Sequence, residues 1–183
     1  MTSRIESYNG QTLEQLPLLG EKEILTTINY LGMPVDEYFV IGGANLVLRG
    51  IKNLTPDLDV LVSSDLFESL QQIDGSQIKQ LPLRAINRGA VNTTVWVKNE
   101  STPIPLSATT LLGDGYYPMS FESHKGKVET VKDVPCIALS EVIAAKSALQ
   151  RTKDFIDLHN IGRFIGKIII LDLNPLVDPL LKS

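Results

Sequence analysis

Between Glu37 and Val62 the chain reads EYFVIGGANLVLRGIKNLTPDLDVLV, and this stretch constrains the fold more than any other. EYFVIG is a short run of β-favouring residues closed by glycine, the pattern of a buried strand. GANLVLRG is long enough for two helical turns, and Gly50 ends it. LDVLV is a second apolar strand, opened by the triplet Asp57-Leu58-Asp59. Strand, short helix and strand in such close succession call for a sheet with helices packed on it.

The flanking sequence extends the pattern. Residues 1–18 form a weakly patterned lead-in. In GEKEILTTINYLG, Ile24, Leu25, Ile28 and Leu31 fall at helical spacing, and Gly32 and Pro34 stop the helix. SSDLFESLQQI reads as a helix with Ser64 as N-cap and Leu66, Phe67 and Leu70 on one face. NTTVWVKNESTPIPLSAT reads as two strands around a polar turn at Asn99–Ser101, with Pro103 and Pro105 pushing the second strand toward a sheet edge. Residues 109–135 offer short β pieces at best. From Leu139 the pattern turns helical, first in LSEVIAAKSALQ and then in TKDFIDLHNIGRFIG with Thr152 as N-cap. The expectation is an α/β (α+β) fold, a mixed sheet flanked by helices. Residues 1–138 form its core, and 139–183 form a C-terminal helical subdomain.

Composition excludes several classes. With 43% hydrophobic and 21% charged residues the 183-residue chain is globular rather than disordered. A formal charge of −4 leaves no global nucleic-acid footprint. The single cysteine, Cys136, allows no disulfide within the chain, and in VPCIAL it reads as a buried small hydrophobe. MTSRIESYNG lacks the apolar core of a signal peptide, and IIILDL is too short to span a bilayer. A cytoplasmic protein with no membrane partner is expected.

Two features carry chemistry. Gly42 and Gly43 lie where a strand hands over to a helix, a place where glycine admits close approach of a ligand and helix N–H groups face an anion such as phosphate. Asp57 and Asp59 are two apart on a strand, so both side chains leave one face and Leu58 and Val60 the other. Two like charges so placed repel unless a cation sits between them, and hard carboxylate oxygens suit Mg²⁺, with Mn²⁺ as a substitute. Thirteen residues separate Gly43 from Asp57. Lys52 and Thr55 fall in that interval and offer a cation and a hydroxyl to phosphates.

In this combination the chain resembles the nucleotidyltransferase superfamily, the polymerase-beta-like fold. Its hallmark is an apolar residue, Gly, Gly or Ser, roughly ten residues, then Asp-x-Asp between apolar residues. Ile41-Gly42-Gly43 and Asp57-Leu58-Asp59-Val60 match it, and RGIKNLTPDLDVLV looks like the loop of the minimal and AbiEii-like members, with Lys52 where arginine is more usual. EVIAAKSALQRTKDFIDL resembles the helical segment those members carry after the sheet, through Lys146, Arg151, Lys153, Asp154 and Asp157. With Arg163 and Lys167 this is the most basic region of an acidic chain, suited to face phosphate. Read without the resemblance, it is a solvated helix face with a Lys153–Asp157 pair at i,i+4 spacing.

The resemblance implies catalytic, metal-holding aspartates at Asp57 and Asp59. It implies nucleotide contacts from Gly42, Gly43, Lys52, Thr55, Lys146, Arg151 and Lys153. The substrate would be a nucleoside triphosphate, and the acceptor a small molecule, a protein side chain or an RNA end. Active members generally bring a third carboxylate from a later strand. The strand in that place, TPIPLSA, offers Pro105 and Ser107, while Glu100 and Asp114 lie off the family position. The alternative is therefore a catalytically degenerate binding module, paired with a protein partner in a toxin–antitoxin-like or regulatory system.

Overall fold

The fold is that of a computed structural model, which describes residues 7–8, 11–12, 18–71, 77–80, 93–97, 109–112 and 121–177. The chain is an α+β protein that divides into two compact units, Met1–Val142 and Ile143–Ser183. The division falls inside a helix, α5 (Leu139–Leu149), rather than before it.

In the first unit, β1 (Ser7–Tyr8) and β2 (Gln11–Thr12) form a small antiparallel pair. Among the described residues the main sheet has seven strands in the order β5-β6-β7-β4-β3-β9-β8. Its centre is the stretch that dominates the sequence. β3 (Tyr38–Val40) runs antiparallel to β4 (Leu58–Val62), with Val40 opposite Val60, and parallel to β9 (Val134–Ile137), with Val40 opposite Cys136. β4 runs parallel to β7 (Thr109–Leu112), with Asp59 opposite Thr110. β5 (Gln77–Gln80) and β6 (Thr93–Val97) complete one side in antiparallel order, and β8 (Val128–Val131) closes the other.

Strand pleating divides the centre of the sheet into two faces. Tyr38, Val40, Leu58, Val60, Val62, Val134 and Cys136 build the main core with Ile24 and Ile28 of α1 (Glu21–Leu31), Ala44, Val47 and Leu48 of α2 (Gly42–Leu48), and Leu66 and Phe67 of α3 (Ser64–Gln71). The odd-numbered positions Phe39, Ile41, Asp57, Asp59 and Leu61 belong to the other face. There the ring of Phe39 stacks on Phe121 of α4 (Phe121–His124), with centroids 5.4 Å apart. Cys136 is fully buried, as its apolar setting suggested, and burial pushes its thiol up to about 12.

Helix ends depart from the expected caps. Ser63, not Ser64, caps α3: its Oγ accepts the Leu66 N–H at 3.1 Å, and its carbonyl accepts from Phe67. Ser64 is already the first helical residue. In the second unit, Thr152 is likewise the first residue of α6 (Thr152–Val177), which runs on through the apolar stretch that follows Gly166. The cap is Arg151, whose N–H donates to the Asp154 carboxylate at 3.0 Å. At α3 the capping group sits outside the helix and reaches in, while at α6 it sits in the first turn and reaches back. Leu70 lies within α3, and the expected strand arm at 102–108 lies outside the described residues. β6 does have an antiparallel partner, at Thr109–Leu112. The stretch 109–135, which carried little pattern, supplies β7, β8 and β9; a two-residue turn at Lys132 and Asp133, both at positive φ, joins β8 to β9. Among the described residues no helix is long and apolar enough to cross a membrane.

A buried amide ties these elements together. Asn45 is fully buried, and its Nδ2 donates to the carbonyls of Val40 at 3.1 Å and Ile137 at 2.8 Å. Its Oδ1 accepts from Arg49 Nε at 2.7 Å, and Arg49 Nη2 reaches Ile137 O and Glu129. Replacing Asn45 by Leu removes one donor from each of two carbonyls and leaves Arg49 Nε without its acceptor, which costs about 1–3 kcal/mol. Urea unfolding will show a lower midpoint with little change in slope.

Candidate functional site

The site begins with the turn from β3 into α2. Gly42 has φ +63°, the left-handed conformation that glycine adopts without steric cost. A Cβ there would stand 3.0 Å from Asp59 Oδ2. At Gly43 a Cβ would fall 2.3 Å from Thr55 Oγ1 and 3.7 Å from Lys52 Nζ. Both glycines are thus required by the fold itself. Asp59 crowds the first position, and the Thr55 hydroxyl fills the second.

Thr55 is buried, and its backbone pairs with Leu19 through N–H···O bonds of 2.7 and 2.9 Å. Its Oγ1 lies 3.4 Å from Asp57 Oδ1, the outer limit of a hydrogen bond. The loop returns from α2 through Ile51 and Lys52, whose N–H groups both donate to the Leu46 carbonyl. Ile41 N–H donates to the Asp59 carbonyl at 3.0 Å, which extends the β3–β4 ladder to the aspartate. Gly42, Gly43, Lys52, Thr55, Asp57 and Asp59 therefore converge on one end of the β3–β4 pair.

Asp57 and Asp59 are half-buried, while Leu58 and Val60 between and beside them are fully buried in the core. The alternation places both carboxylates off the core face. Two carboxylates two positions apart on a strand, roughly 7 Å by the strand rise, repel by about 0.6 kcal/mol in water and more where solvent is partly excluded. A divalent cation reverses the sign of that interaction. Among the described residues no group of three or more His, Cys, Asp or Glu side chains stands together as a metal cage. The donor set fits an ion that keeps waters and shares its remaining positions with a phosphate ligand, the usual habit of Mg²⁺. In β7, the register positions beside Leu58 and Asp59 are Thr109 and Thr110. Glu100 and Asp114 lie outside the described residues.

Lys146, Arg151 and Lys153 belong to the second unit and are described within it. Lys146 is buried, with Nζ 2.7 Å from Asp157 Oδ2 and 3.4 Å from Asp154 Oδ1. Arg151 grips Asp154 through Nε at 2.7 Å and Nη2 at 3.0 Å. Asp154 and Asp157 are both buried. The picture of a solvated helix face is corrected here: the two aspartates face inward and bind α5 to α6. Lys153 and His159 are exposed. The sequence signal for this network was the spacing of Asp154 and Asp157, which places them on one side of a helix. Asn45, Arg49 and Glu129 carried no comparable signal, since a lone Asn in an apolar helix reads as neutral.

No protein-family model matches the chain, and no curated protein matches it.

Two measurements check this geometry. Gly43→Ala will destabilise the protein, and adding Thr55→Ala will recover part of the loss, because it removes the hydroxyl that the new methyl meets. A double-mutant cycle by urea unfolding reads the coupling, expected at about 0.5–3 kcal/mol. The second concerns acid. Burial raises the Asp154 pKa, but the hydrogen bonds and charge of Arg151, with Lys146, outweigh it and hold the carboxyl below its ordinary 3.8. A depressed pKa gives stability that is present above the unfolded value and lost as pH falls through the folded one. Asp154→Asn will be less stable than the parent at neutral pH, and the gap will narrow below about pH 4.

Proposed function

We propose that this chain is a nucleotidyltransferase-fold protein that transfers a nucleoside monophosphate from a nucleoside triphosphate to an acceptor hydroxyl. The observation that carries the reading is the convergence of Gly42, Gly43, Lys52 and Thr55 on the two carboxylates of Asp57 and Asp59. That arrangement joins paired hard oxygen ligands to a cation and a close-packed glycine turn, the parts a metal–triphosphate ligand requires.

Asp57 and Asp59 hold the Mg²⁺ that arrives with the triphosphate. When bound, that ion polarises the α-phosphate and offsets the charge on the departing pyrophosphate. Gly42 leaves room for the Asp59 carboxylate against the turn. Lys52 brings positive charge to the phosphates beside Gly43. Thr55, fixed by its backbone pairing with Leu19, orients Asp57 from below.

A second reading is supported by β7, the strand beside β4, whose register positions opposite Leu58 and Asp59 are threonines rather than carboxylates. Under it the pocket binds nucleotide without transfer, as the sensing half of a regulatory or toxin–antitoxin-like pair.

Isothermal titration of ATP, CTP, GTP and UTP with and without Mg²⁺ tests both. Metal-dependent binding is expected in the wild type and lost in Asp57→Ala/Asp59→Ala. A folded wild type that binds no nucleotide overturns both readings. Binding without pyrophosphate release, over a panel of hydroxyl acceptors, selects the second.

A further inference from the structure

In the second unit, α6 carries two rows of side chains on the side away from its buried residues Asp154, Asp157 and Ile161. At 3.6 residues per turn, Phe155, His159, Gly162 and Gly166 fall in one row, and Lys153, Ile156, Arg163 and Lys167 in the row beside it. Phe155 and Ile156 are each 59% exposed, and Lys153, His159, Gly162, Arg163 and Lys167 are exposed with them. The first row runs for about 16 Å, three turns of helix. A large aromatic and a large aliphatic side chain thus stand together in water at its start.

Charge decides what complements this face. The only carboxylates between Thr152 and Ile168 are Asp154 and Asp157, and both are buried in contacts with Lys146 and Arg151. The outward side therefore shows cations alone. Among the described residues Lys153, Arg163 and Lys167 make no ion pair. On a chain of net charge −4 this is a local positive flank beside an apolar patch. Its complement is an apolar row flanked by carboxylates. Laid across the same face, α6 of a second copy would set cation against cation.

The glycines give the face its form. A glycine inside a helix weakens it relative to alanine. Neither Gly162 nor Gly166 has a positive φ, and a Cβ at either would meet no atom within 4 Å. Packing among the described residues therefore does not call for glycine at either position. Together they leave a shallow trough in line with Phe155, where a second helix can approach closely. A lipid surface would favour a continuous apolar row, and His159 and the two glycines interrupt this one.

We infer that this side of α6 docks an amphipathic helix of a partner protein, one whose apolar row is flanked by Asp or Glu. The apolar row of that helix packs on Phe155, Ile156 and the glycine trough. Its carboxylates meet Lys153, Arg163 and Lys167. The surface lies wholly within the second unit, so its test is independent of nucleotide binding by the first.

The test uses the full chain and two labelled synthetic peptides of about 20 residues, long enough to form a helix. One has Leu and Ala on one face and Glu along its flanks; the other has Lys in place of each Glu. Fluorescence anisotropy is expected to show the acidic peptide binding at least about ten-fold more tightly, with the gap narrowing as salt is raised. Phe155→Ser/Ile156→Ser weakens that binding by about ten-fold or more. Arg163→Glu/Lys167→Glu reverses the preference between the peptides. Gly162→Leu leaves the thermal midpoint unchanged or higher, because the new side chain meets open space, yet fills the trough and weakens binding of the acidic peptide. Equal binding of the two peptides, or binding of neither, by a folded wild type overturns the inference. A dimer in sedimentation that Phe155→Ser/Ile156→Ser abolishes also overturns it and gives the face to a second copy. Co-sedimentation with phosphatidylglycerol vesicles that the same variant abolishes overturns it in favour of a lipid surface.

Discussion

The hydrogen bonds of Asn45 hold the centre of the first unit. β3 and β9 run parallel, and their single registered pair is Val40 with Cys136. Val40 and Ile137 are the last residues of those two strands. One buried amide donates to the carbonyls of both, and Arg49 adds a second donor to Ile137. A buried carbonyl without a donor costs about 1–3 kcal/mol, so the amide is strongly specified there. It also fixes α2 against the ends of two strands at once, which a purely apolar contact would do with less positional definition.

The functional end of the sheet follows from that placement. With α2 held, its first residues must turn sharply out of β3, and Gly42 does so at positive φ. The turn brings Gly42 against Asp59 and Gly43 against Thr55. The glycines therefore serve the packing of the site before they serve any ligand. Leu58 and Val60 anchor β4 in the core, and the pleat then delivers Asp57 and Asp59 to the opposite face. Burying residues of this size contributes about 1.5–3 kcal/mol each, several times the repulsion between two half-buried carboxylates. The core can thus hold an unfavourable charge pair in place.

The second unit uses charge differently. Lys146, Arg151, Asp154 and Asp157 neutralise one another between α5 and α6. Such a network is a weak source of net stability but a strong source of register, because removing one member strands a buried charge at a cost of about 3–5 kcal/mol. Asp154 also closes the N-terminus of α6 through the Arg151 N–H. One carboxylate thus sets where the helix starts and which residue of α5 it meets.

Much of this was written in local sequence. Apolar runs, glycines and strand alternation suffice to place β3, α2 and β4, and to put Asp57 and Asp59 on one face with Leu58 and Val60 on the other, because those features depend on neighbours within a few residues. The gathering of Gly42, Gly43, Lys52, Thr55, Asp57 and Asp59 into one candidate constellation came from the same short stretch. What tertiary structure decided was every contact made across sequence distance: Asn45 with Ile137, β7 beside β4, Phe121 on Phe39, and Lys146 with Asp157. Periodicity reports which face of an element is apolar, not which strand or helix will lie against it. That choice belongs to long-range hydrogen bonds and shape, for which a buried Asn or a lysine on an alanine-rich helix leaves no local mark.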